Sequence, residues 1–339
     1  MKSKKNITFE EEDIRPQKLM IDKEKFVIAD REFLLAEIDQ WVIVNCPACD
    51  SSKFELYGQK NGFRYVECSH CETVYTNPRP TQELLNRFYK NSKNYEYWNQ
   101  HIFPATETVR RNKIFRPRVE KISSICQKLG INGGTLLEVG AGFGTFCEEA
   151  QHFDLFERII AVEPTGGLSE TIQAKGIEVI NSPVEEIQGP MIADFVVCFE
   201  VLEHLYNPKE FIAQCYRLIR ERGFLVLTCP NVKGFDISTL GTLSGTFDHE
   251  HLNYFHPTSL SRLLEENHFK IVELLTPGRL DADIVRKAVL KGDLELNQQP
   301  FLKTVLIEKW DEVGEMFQDF LVDAKLSSHM WIVAQKSVD

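Results

Sequence analysis

Long hydrophobic runs are missing from this sequence, and no segment approaches the roughly 20 apolar residues of a membrane-spanning helix. The first residues, MKSKKNITFEEED, include lysines but lack the apolar stretch of a secretory signal peptide. Internal repeats and low-complexity tracts are also lacking. These absences argue against membrane-spanning and repeat proteins. They favour a protein of the cytoplasm, where cysteine thiols stay reduced.

Positive charge is scarce as well. Asp and Glu number 50 against 39 Lys and Arg, which gives a formal net charge of -11. Because such a chain repels a phosphate backbone, the composition disfavours a nucleic-acid partner. One basic strip departs from this pattern and consists of Arg110, Arg111, Lys113, Arg116 and Arg118. It is interpreted either as a solvated helix face or as a site for a substrate phosphate.

The chain is long enough for one large domain and a small one. It has 339 residues, of which 43% are hydrophobic, close to the average for globular proteins. Motifs and breaks divide it into an N-terminal extension (1–44), a cysteine module (45–80), an aromatic helical connector or lid (81–112) and a large domain (113–339). The length and the motifs leave the oligomeric state open.

Two CxxC pairs define the cysteine module. Cys46 and Cys49 form the first pair, Cys68 and Cys71 form the second, and 18 residues lie between the pairs. This spacing predicts a zinc ribbon with four thiolate ligands, in which a hairpin turning at Asn61-Gly62 brings the pairs together. A closed shell of four sulfurs leaves no position for a substrate, so the zinc is predicted to be structural. Disulfides are the alternative, which a reducing cytoplasm disfavours.

Short apolar, β-rich runs alternate with helical stretches from residue 113 onward, a pattern that predicts a parallel sheet covered by helices on both faces. A helix is predicted over 113–129, and a strand over 41–46 before the cysteines. A long amphipathic helix is predicted over 301–324, which covers the sheet or, alternatively, forms an interface with another chain. The predicted strands of the large domain are 135–139, 158–163, 177–180, 194–199, 224–229, 269–275 and 330–336.

A glycine-rich turn follows the first of these strands, in the segment LLEVGAGFGTF. Its GxGxG spacing places the third glycine one position too early for a nicotinamide fingerprint, and an acidic residue precedes the glycines. An acid at that point suits a ligand with an ammonium group and a sulfonium, such as S-adenosylmethionine. A second acid at the end of the next strand can accept hydrogen bonds from both ribose hydroxyls. The predicted cofactor-binding residues here are Glu138, Gly140, Gly142, Gly144 and Glu163.

Four motifs, EVGAGFG, AVEP, DFVVCFEVLEHL and GFLVLTCPN, resemble the successive motifs of the class I methyltransferases, over residues 113–336. This resemblance implies a Rossmann-like α/β fold, with a sheet of seven strands of which the last is antiparallel. It also implies that Glu138 and Gly140 lie near the methionine part of the cofactor and that Glu163 binds the ribose. The adenine contact is expected near 181–184, where no acidic residue stands at Asn181 or Ser182.

The segment after the fourth strand offers a first reactive cluster. If it begins a helix, Glu200, Glu203 and His204 fall on one face, as metal ligands can. The trio resembles the ExxEH ligand set of ubiquinone-type O-methyltransferases and of small-RNA ribose methyltransferases. The same segment is widespread in class I enzymes that use no metal, where it caps the cofactor pocket. Glu200 and His204 are therefore predicted to line that pocket, with a second metal as the alternative.

A second cluster, FDHEHLNYFHPTSL (247–260), lies in the long connection after the fifth strand, where loops cover the acceptor pocket. His249, His251 and His256 are candidate bases, and a helix cap or polar surface is the alternative. The stretch EHLNYF resembles the EHLSYF stretch of deoxysugar C-methyltransferases, which also carry a four-cysteine zinc module. That resemblance implies that His251 is the base, assisted by Glu250.

This chain departs from that sugar-modifying family in two respects. Asp248 stands where a tyrosine is expected. TPGRLDADIVRK replaces a glycine-rich stretch and a large C-terminal domain. Because abstraction of a carbon-bound proton requires stabilisation of an enolate, these losses favour a hydroxyl acceptor over a carbon acceptor.

The sequence therefore predicts methyl transfer from S-adenosylmethionine to a sugar hydroxyl or carbon, the sugar being nucleotide-linked or part of a polysaccharide pathway. A nucleic-acid methyltransferase that uses the zinc ribbon to bind its substrate is one alternative. A noncatalytic, zinc-stabilised binding protein is the other. Aromatic residues of the connector are expected to close over the cofactor and substrate, or else to fix the cysteine module to the large domain: Phe88, Tyr89, Tyr95, Tyr97 and Trp98.

Overall fold

The computed structural model of the chain describes residues 11–131 and 133–337. Within these ranges no helix has both the length and the apolar character needed to cross a bilayer. The strands are β1 (Phe54–Lys60), β2 (Phe63–Cys68), β3 (Val74–Thr76), β4 (Thr135–Val139), β5 (Arg158–Val162), β6 (Glu178–Ile180), β7 (Ala193–Phe199), β8 (Ile219–Pro230), β9 (Asn253–Tyr254), β10 (Phe269–Leu275) and β11 (His329–Lys336).

The α-helices are α1 (Glu11–Ile14), α2 (Gln17–Leu35), α3 (Gln82–Asn91), α4 (Lys93–Tyr97), α5 (Phe103–Arg110), α6 (Arg116–Leu129), α7 (Thr145–His152), α8 (Gly166–Ala174), α9 (Pro208–Leu218), α10 (Phe235–Leu240), α11 (Pro257–Glu265), α12 (Asp281–Lys291), α13 (Pro300–Lys303) and α14 (Trp310–Asp323). π-Helical turns join α4 to α5 and α5 to α6, so 93–129 is helical almost throughout. The helix predicted over 113–129 is confirmed, and it ends at Gly130, whose φ is 66°.

The central sheet has the strand order β10-β11-β8-β7-β4-β5-β6. β11 pairs antiparallel with both of its neighbours, whereas the pairs among β4 to β8 are parallel. The prediction of seven strands with the last one antiparallel is therefore confirmed. All seven predicted strand positions are occupied, although β8 begins five residues earlier than expected.

Both faces of the sheet are apolar because both are covered. Leu136 packs with α6, α7 and α8 on one face, and its neighbour Leu137 packs with α9 and α11 on the other. Successive side chains of a strand point to opposite faces, so a strand covered on both sides reads as one continuous apolar run. The thiol cluster of the cysteine module joins the core on the Leu137 side, and the module therefore packs on the large domain.

The cysteine module forms a second sheet, with the order β1-β2-β3-β9. Its predicted hairpin is confirmed: β1 and β2 pair antiparallel around Asn61 and Gly62, whose φ angles are 51° and 88°. The strand predicted over 41–46 is wrong, because only a single bridge between Val42 and Arg79 forms there. The fourth strand, β9, comes from the large domain and lies within the second reactive cluster, two residues after His251.

The long helix predicted over 301–324 is wrong in two respects. It is interrupted at Lys309, whose φ and ψ of -125° and 24° are not helical, so α13 and α14 are separate. The segment also does not cover the sheet. Val305, Leu306 and Leu321 pack instead with Leu240 and with α12 in a separate apolar core. The faces of the sheet are already occupied by α6 to α9 and α11, which leaves no apolar surface there for α14.

Candidate functional site

One large cleft opens at the carboxyl ends of the parallel strands. Its volume is about 2610 Å³, more than twice the roughly 300–1,000 Å³ of a typical ligand pocket, so it has room for a cofactor and a second substrate. The cleft brings the glycine-rich turn together with both reactive clusters. The predicted site residues that line it are Glu138, Gly140, Gly142, Glu163, Glu200, His204, His249, Glu250 and His251; Gly144 lies just behind it, at the start of α7.

The glycine-rich turn is held by a carboxylate of the neighbouring strand. Glu163, which follows β5, accepts the Gly142 backbone N–H at 2.8 Å and the Thr165 N–H at 3.0 Å. Gly140 has a φ of 75°, and a Cβ atom there would lie 2.6 Å from the Val201 side chain. Only glycine fits this backbone, which exposes main-chain atoms directly to the cleft.

Glu138, at the end of β4, is only 3% exposed, yet it borders the cleft. Its Oε2 accepts a hydrogen bond from the Cys147 thiol at 2.9 Å. Burial raises the pKa of Glu138 to about 8, against a smaller opposing effect of Cys147 and Arg118. A bound cation would favour the ionised form of this carboxyl group.

The segment after β7 does not begin an α-helix, which corrects the prediction that Glu200, Glu203 and His204 share a helix face. Glu200 has a φ of 56°, and Leu202–His204 form a single 3₁₀ turn. Glu200 is therefore not grouped with Glu203 and His204 as a possible metal ligand. Its Oε1 accepts from Thr228, and His329 Nδ1 lies 3.6 Å from the same oxygen.

The chain brings His251 to Glu203 and His204 instead. One ligand-type atom from each of these three residues lies within 4.8 Å of the others, and the two imidazole centroids are 4.6 Å apart. His251 Nδ1 contacts the Thr246 carbonyl at 2.8 Å, and His204 Nδ1 contacts the Glu250 carbonyl at 3.2 Å. When Nδ1–H donates to a carbonyl, Nε2 remains free for a proton or a metal ion.

The electrostatics of this cluster are unusual. Burial and, to a smaller extent, the charge of Glu200 raise the pKa of Glu203 to about 8. Burial lowers the pKa of His204 to about 3. Burial also disfavours the charged form of His251, but Asp248 and Glu203 outweigh it, so the pKa of His251 is raised. Closely spaced groups with strongly shifted pKa values are common in active sites.

Asp248 shapes the His251 loop. Its Oδ1 accepts the backbone N–H groups of Glu250 and His251, both at 2.9 Å. This turn is an Asx-type arrangement, in which an aspartate side chain replaces a main-chain partner. The residue that stands in place of the expected tyrosine thus has a clear local role.

The other members of the second cluster differ in placement. His249 is buried against the Phe88 ring, and its Nε2 lies 3.6 Å from Glu250. Glu250 accepts a hydrogen bond from Asn94, and burial raises its pKa to about 7. His256 lies outside the cleft, because its Nε2 contacts the Cys71 carbonyl at 2.9 Å. His256 is therefore a link to the cysteine module.

N-terminal elements close one side of the cleft, and no local pattern of the sequence indicates this. Asp30 of α2 accepts the backbone N–H groups of Lys93 and Asn94 and so caps α4. Asn94 in turn donates to Glu250. Of the connector aromatics, Tyr89, Tyr95 and Trp98 line the cleft, whereas Phe88 is in the core and Tyr97 packs on Phe26.

The four cysteine thiols converge. Their Sγ atoms all lie within 4.8 Å of one another, with 3.4 Å between Cys46 and Cys71 and 3.6 Å between Cys49 and Cys68. In the turn that contains each CxxC pair, the backbone folds back on the first cysteine of the pair. In the first turn, for example, the Asp50 N–H donates to the Cys46 carbonyl. None of the four thiols forms a disulfide. The donor set and its closeness fit a tetrahedral ion such as Zn²⁺.

A buried arginine joins the cysteine module to both reactive clusters. Arg79 is 1% exposed, and no carboxylate of the described residues forms an ion pair with it. Its guanidinium donates to the carbonyls of Thr76, Tyr206 and Leu252, and to the Asn253 side chain. The rigid guanidinium group thereby fixes the loop after His204 and the loop after His251 relative to each other.

Comparisons with known proteins agree with this geometry. Residues 110–274 match the sequence model of a family described as "Methyltransferase domain". The ubiquinone biosynthesis O-methyltransferase of Burkholderia orbicola (strain MC0-3) is 25% identical over 178 residues, which cover 50% of this chain and 73% of that protein. The protein of the same name from Thiobacillus denitrificans (strain ATCC 25259 / T1) is 26% identical over 176 residues, with the same two coverages.

Solved structures align over more of the chain. The 1,6-didemethyltoxoflavin-N1-methyltransferase of Burkholderia thailandensis, crystallised with 1,6-didemethyltoxoflavin and S-adenosylhomocysteine, aligns with 80% of this chain and 98% of its own. The identity is 13% and the TM-score is 0.47.

Proposed function

We propose that this S-adenosylmethionine-dependent methyltransferase transfers its methyl group to a hydroxyl group of a sugar, with His251 as the base. The observation that carries the proposal is the position of His251. It shares one cleft with the glycine-rich turn, and an anchored Nδ1 leaves its Nε2 free. The relatives named for ubiquinone biosynthesis act on oxygen according to their names, which agrees with a hydroxyl acceptor.

The cofactor is proposed to lie along the carboxyl ends of β4 and β5. Glu138 would bind the ammonium group of its methionine part, and the backbone at Gly140 and Gly142 would approach it closely. Glu163 would accept hydrogen bonds from the ribose hydroxyls. Glu200 and His204 line the same cleft next to this path and would border the reacting methyl group.

The reaction is an in-line displacement. The acceptor oxygen attacks the methyl carbon, the bond from carbon to sulfur breaks, and its electron pair stays on sulfur to give S-adenosylhomocysteine. The acceptor hydroxyl loses its proton to Nε2 of His251, which passes it to solvent. Holding both reactants in line and removing this proton are the two contributions required of the protein.

A sugar acceptor is proposed because several buried polar atoms of residues that line the cleft have no hydrogen-bond partner. Ten buried side-chain atoms of the described residues lack a hydrogen-bond partner, and six of them belong to residues that line this cleft. Buried polar atoms are normally paired, so this concentration suits a ligand rich in hydroxyl groups. The six are Asn94 Oδ1, Glu203 Oε2, Asp236 Oδ1, His249 Nε2, Ser328 Oγ and Trp331 Nε1.

The acceptor is identified by mass spectrometry of reactions with UDP-glucose, UDP-galactose, GDP-mannose and dTDP-rhamnose, with 3,4-dihydroxybenzoate as an aromatic probe. The expected result is the gain of one methylene mass by a sugar and none by the catechol. Methylation of the catechol alone would favour a quinone-type acceptor and contradict the sugar proposal. Methylation of RNA would favour the nucleic-acid alternative.

The four-cysteine cluster is proposed to hold a structural zinc ion through Cys46, Cys49, Cys68 and Cys71. When bound, the ion would join the two CxxC pairs and take no part in methyl transfer. The module would then act as a scaffold for the loop that carries His251, since β3 pairs with β9, which begins two residues after His251.

Glu163→Ala is expected to weaken the binding of S-adenosylhomocysteine about 100-fold. It removes two hydrogen bonds to the ribose and also frees the Gly142 loop, and hydrogen bonds to a charged group contribute about 1.5–3 kcal/mol each. Calorimetric titration measures the effect. Glu178→Ala, which removes an exposed carboxylate paired with Arg158 at the sheet edge, is the control and should bind normally. Equal affinities of the two variants would contradict the proposed ribose contact.

Cofactor binding is expected to tighten as the pH rises from 6 to 8 and to level off above 8. In the free protein burial holds the pKa of Glu138 at about 8, so the carboxyl group is mostly neutral at pH 7. The cofactor's ammonium group favours the carboxylate, so binding releases a proton, and affinity rises by up to about tenfold per pH unit below the pKa. Titration calorimetry across this range tests the slope, and Glu138→Gln should remove it.

A second candidate mechanism uses a divalent cation at Glu203, His204 and His251, and the closeness of these three side chains favours it. The cation would bind the acceptor oxygen and lower its pKa, so that His251 would be a ligand and not the base. Turnover after dialysis against EDTA, with and without added Mg²⁺ or Mn²⁺, separates the two. The base mechanism predicts that turnover follows the zinc content of the chain and does not depend on added Mg²⁺ or Mn²⁺. The cation mechanism predicts loss of turnover in EDTA and recovery when either of these ions is added.

A further inference from the structure

Two of the unpartnered buried atoms form a polar group of their own, away from His251. Asp236 lies in the first turn of α10, Ser328 immediately precedes β11, and both residues line the cleft. Asp236 is 5% exposed. Neither its Oδ1 nor the Ser328 Oγ has a hydrogen-bond partner among the described residues. Because a buried polar atom without a partner is destabilising, this pair points to a ligand that supplies the missing bonds.

The two residues are held next to each other. The Phe235 N–H donates to the Leu326 carbonyl at 2.7 Å, and the Asn231 N–H donates to the Ser328 carbonyl at 2.9 Å. Gly234 approaches so closely that a Cβ atom on it would lie 2.2 Å from Ser328 Oγ. The start of α10 and the residue before β11 therefore form one fixed wall of the cleft.

A neighbouring carboxylate shows what a purely structural aspartate looks like here. Asp281 accepts hydrogen bonds from Ser327 Oγ at 2.7 Å, from Gln318 Nε2 at 3.0 Å and from the Ser328 backbone N–H. Both of its oxygens are thus occupied. Asp236 is equally buried and lies within range of the Asp281 charge, yet its Oδ1 remains free. Of the two carboxylate oxygens of Asp236, Oδ1 is therefore the one that is left for a ligand.

This wall is connected to the methyl-transfer region. His329, the residue after Ser328, has its Nδ1 3.6 Å from Glu200 Oε1. Glu200 in turn lies within electrostatic range of His251. A ligand whose reacting group is at His251 and whose far side reaches Asp236 would therefore pass Glu200 and His329, all within the same cleft.

We propose that Asp236 Oδ1 and Ser328 Oγ bind a second hydroxyl group of the acceptor, one that is not methylated, and so orient the sugar ring. A hydroxyl group donates to the aspartate oxygen and accepts from the serine hydroxyl, which satisfies both unpartnered atoms. This inference rests on the proposed sugar acceptor and assigns one of its binding contacts.

The test combines protein variants with a changed acceptor. Using the nucleotide sugar that the wild type methylates, Asp236→Leu and Ser328→Ala are each expected to raise KM about 10- to 100-fold, as the loss of a hydrogen bond to a charged or buried group does. kcat and the Kd for S-adenosylhomocysteine should change by no more than about threefold. Deoxy analogues of that sugar complete the cycle: the analogue that lacks the bound hydroxyl should raise KM for the wild type but add no further loss in Asp236→Leu.

Thermal stability separates this role from a structural one. Asp236→Asn removes no observed hydrogen bond of Oδ1, so its Tm should equal or exceed that of the wild type, whereas Asp281→Asn should lower Tm. An unchanged KM for Asp236→Leu, or a fall in the Tm of Asp236→Asn as large as that of Asp281→Asn, would overturn the inference alone. Tight binding of S-adenosylhomocysteine without turnover of any sugar would remove the proposed function, and this inference with it.

Discussion

Replacement of His251 by asparagine is expected to lower kcat about 10²- to 10⁴-fold, the range that general base catalysis contributes. The asparagine amide can still donate to the Thr246 carbonyl, which accepts from His251 Nδ1 in the native loop. The loop should therefore keep its shape while losing the group that removes the acceptor proton. The Kd for S-adenosylhomocysteine should remain within about twofold of the wild type, because His251 is not among the proposed cofactor contacts.

The variant is measured by initial rates of S-adenosylhomocysteine release with the nucleotide sugar that the wild type methylates. His152→Asn, in an exposed position at the end of α7, is the matched control and should have full activity. Retention of more than about a fifth of the wild-type kcat by His251→Asn would show that proton removal takes place elsewhere. Glu250 and His249 would then be the next groups to replace.

Loss of one thiol from the cysteine cluster is expected to have the second large effect. Structural zinc contributes on the order of 10 kcal/mol to the folding of small zinc domains. Cys46→Ser should therefore lower the bound zinc from one ion per chain to a small fraction. A large decrease in Tm should accompany this, because the thiol cluster is part of the apolar core under the central sheet. Elemental analysis and calorimetry measure the two quantities independently of catalysis.

Cys126→Ser is the matched control, since Cys126 is also buried but lies on α6, on the other side of the sheet. It should keep its zinc. Activity should fall together with metal content in Cys46→Ser because Arg79 and β3 connect the module to the His251 loop. Full zinc content in Cys46→Ser, or a chain purified without zinc and equally stable, would contradict a structural metal.

The sequence was informative wherever the decisive residues are close together in the chain. The glycine-rich turn, the acids at the ends of β4 and β5 and the two CxxC pairs each fall within a short segment. The structure brings the turn and the acids to one cleft and the four thiols close together. Local spacing sets the geometry of such motifs through the turn itself. The prediction of an S-adenosylmethionine-dependent methyltransferase, which rested on them, is confirmed by the family match.

The sequence was poorly informative where the partners are distant. Asn94 and Glu250 are separated by 156 positions, and neither residue type signals the contact. The pairing of β3 with β9 and the contact of His329 with Glu200 also depend on the assembled fold. The expected helix at 200–204 failed for a local reason: Glu200 adopts a left-handed backbone conformation, which helical spacing cannot indicate.

The most direct test of the proposed cofactor site is calorimetric titration of the wild-type chain with S-adenosylhomocysteine. We expect a single binding site per chain. The affinity should be weakened about 100-fold by Glu163→Ala and should rise between pH 6 and 8. Absence of binding to the purified, zinc-containing chain would contradict the proposed cofactor site. It would leave a zinc-stabilised protein that has the methyltransferase fold without its cofactor.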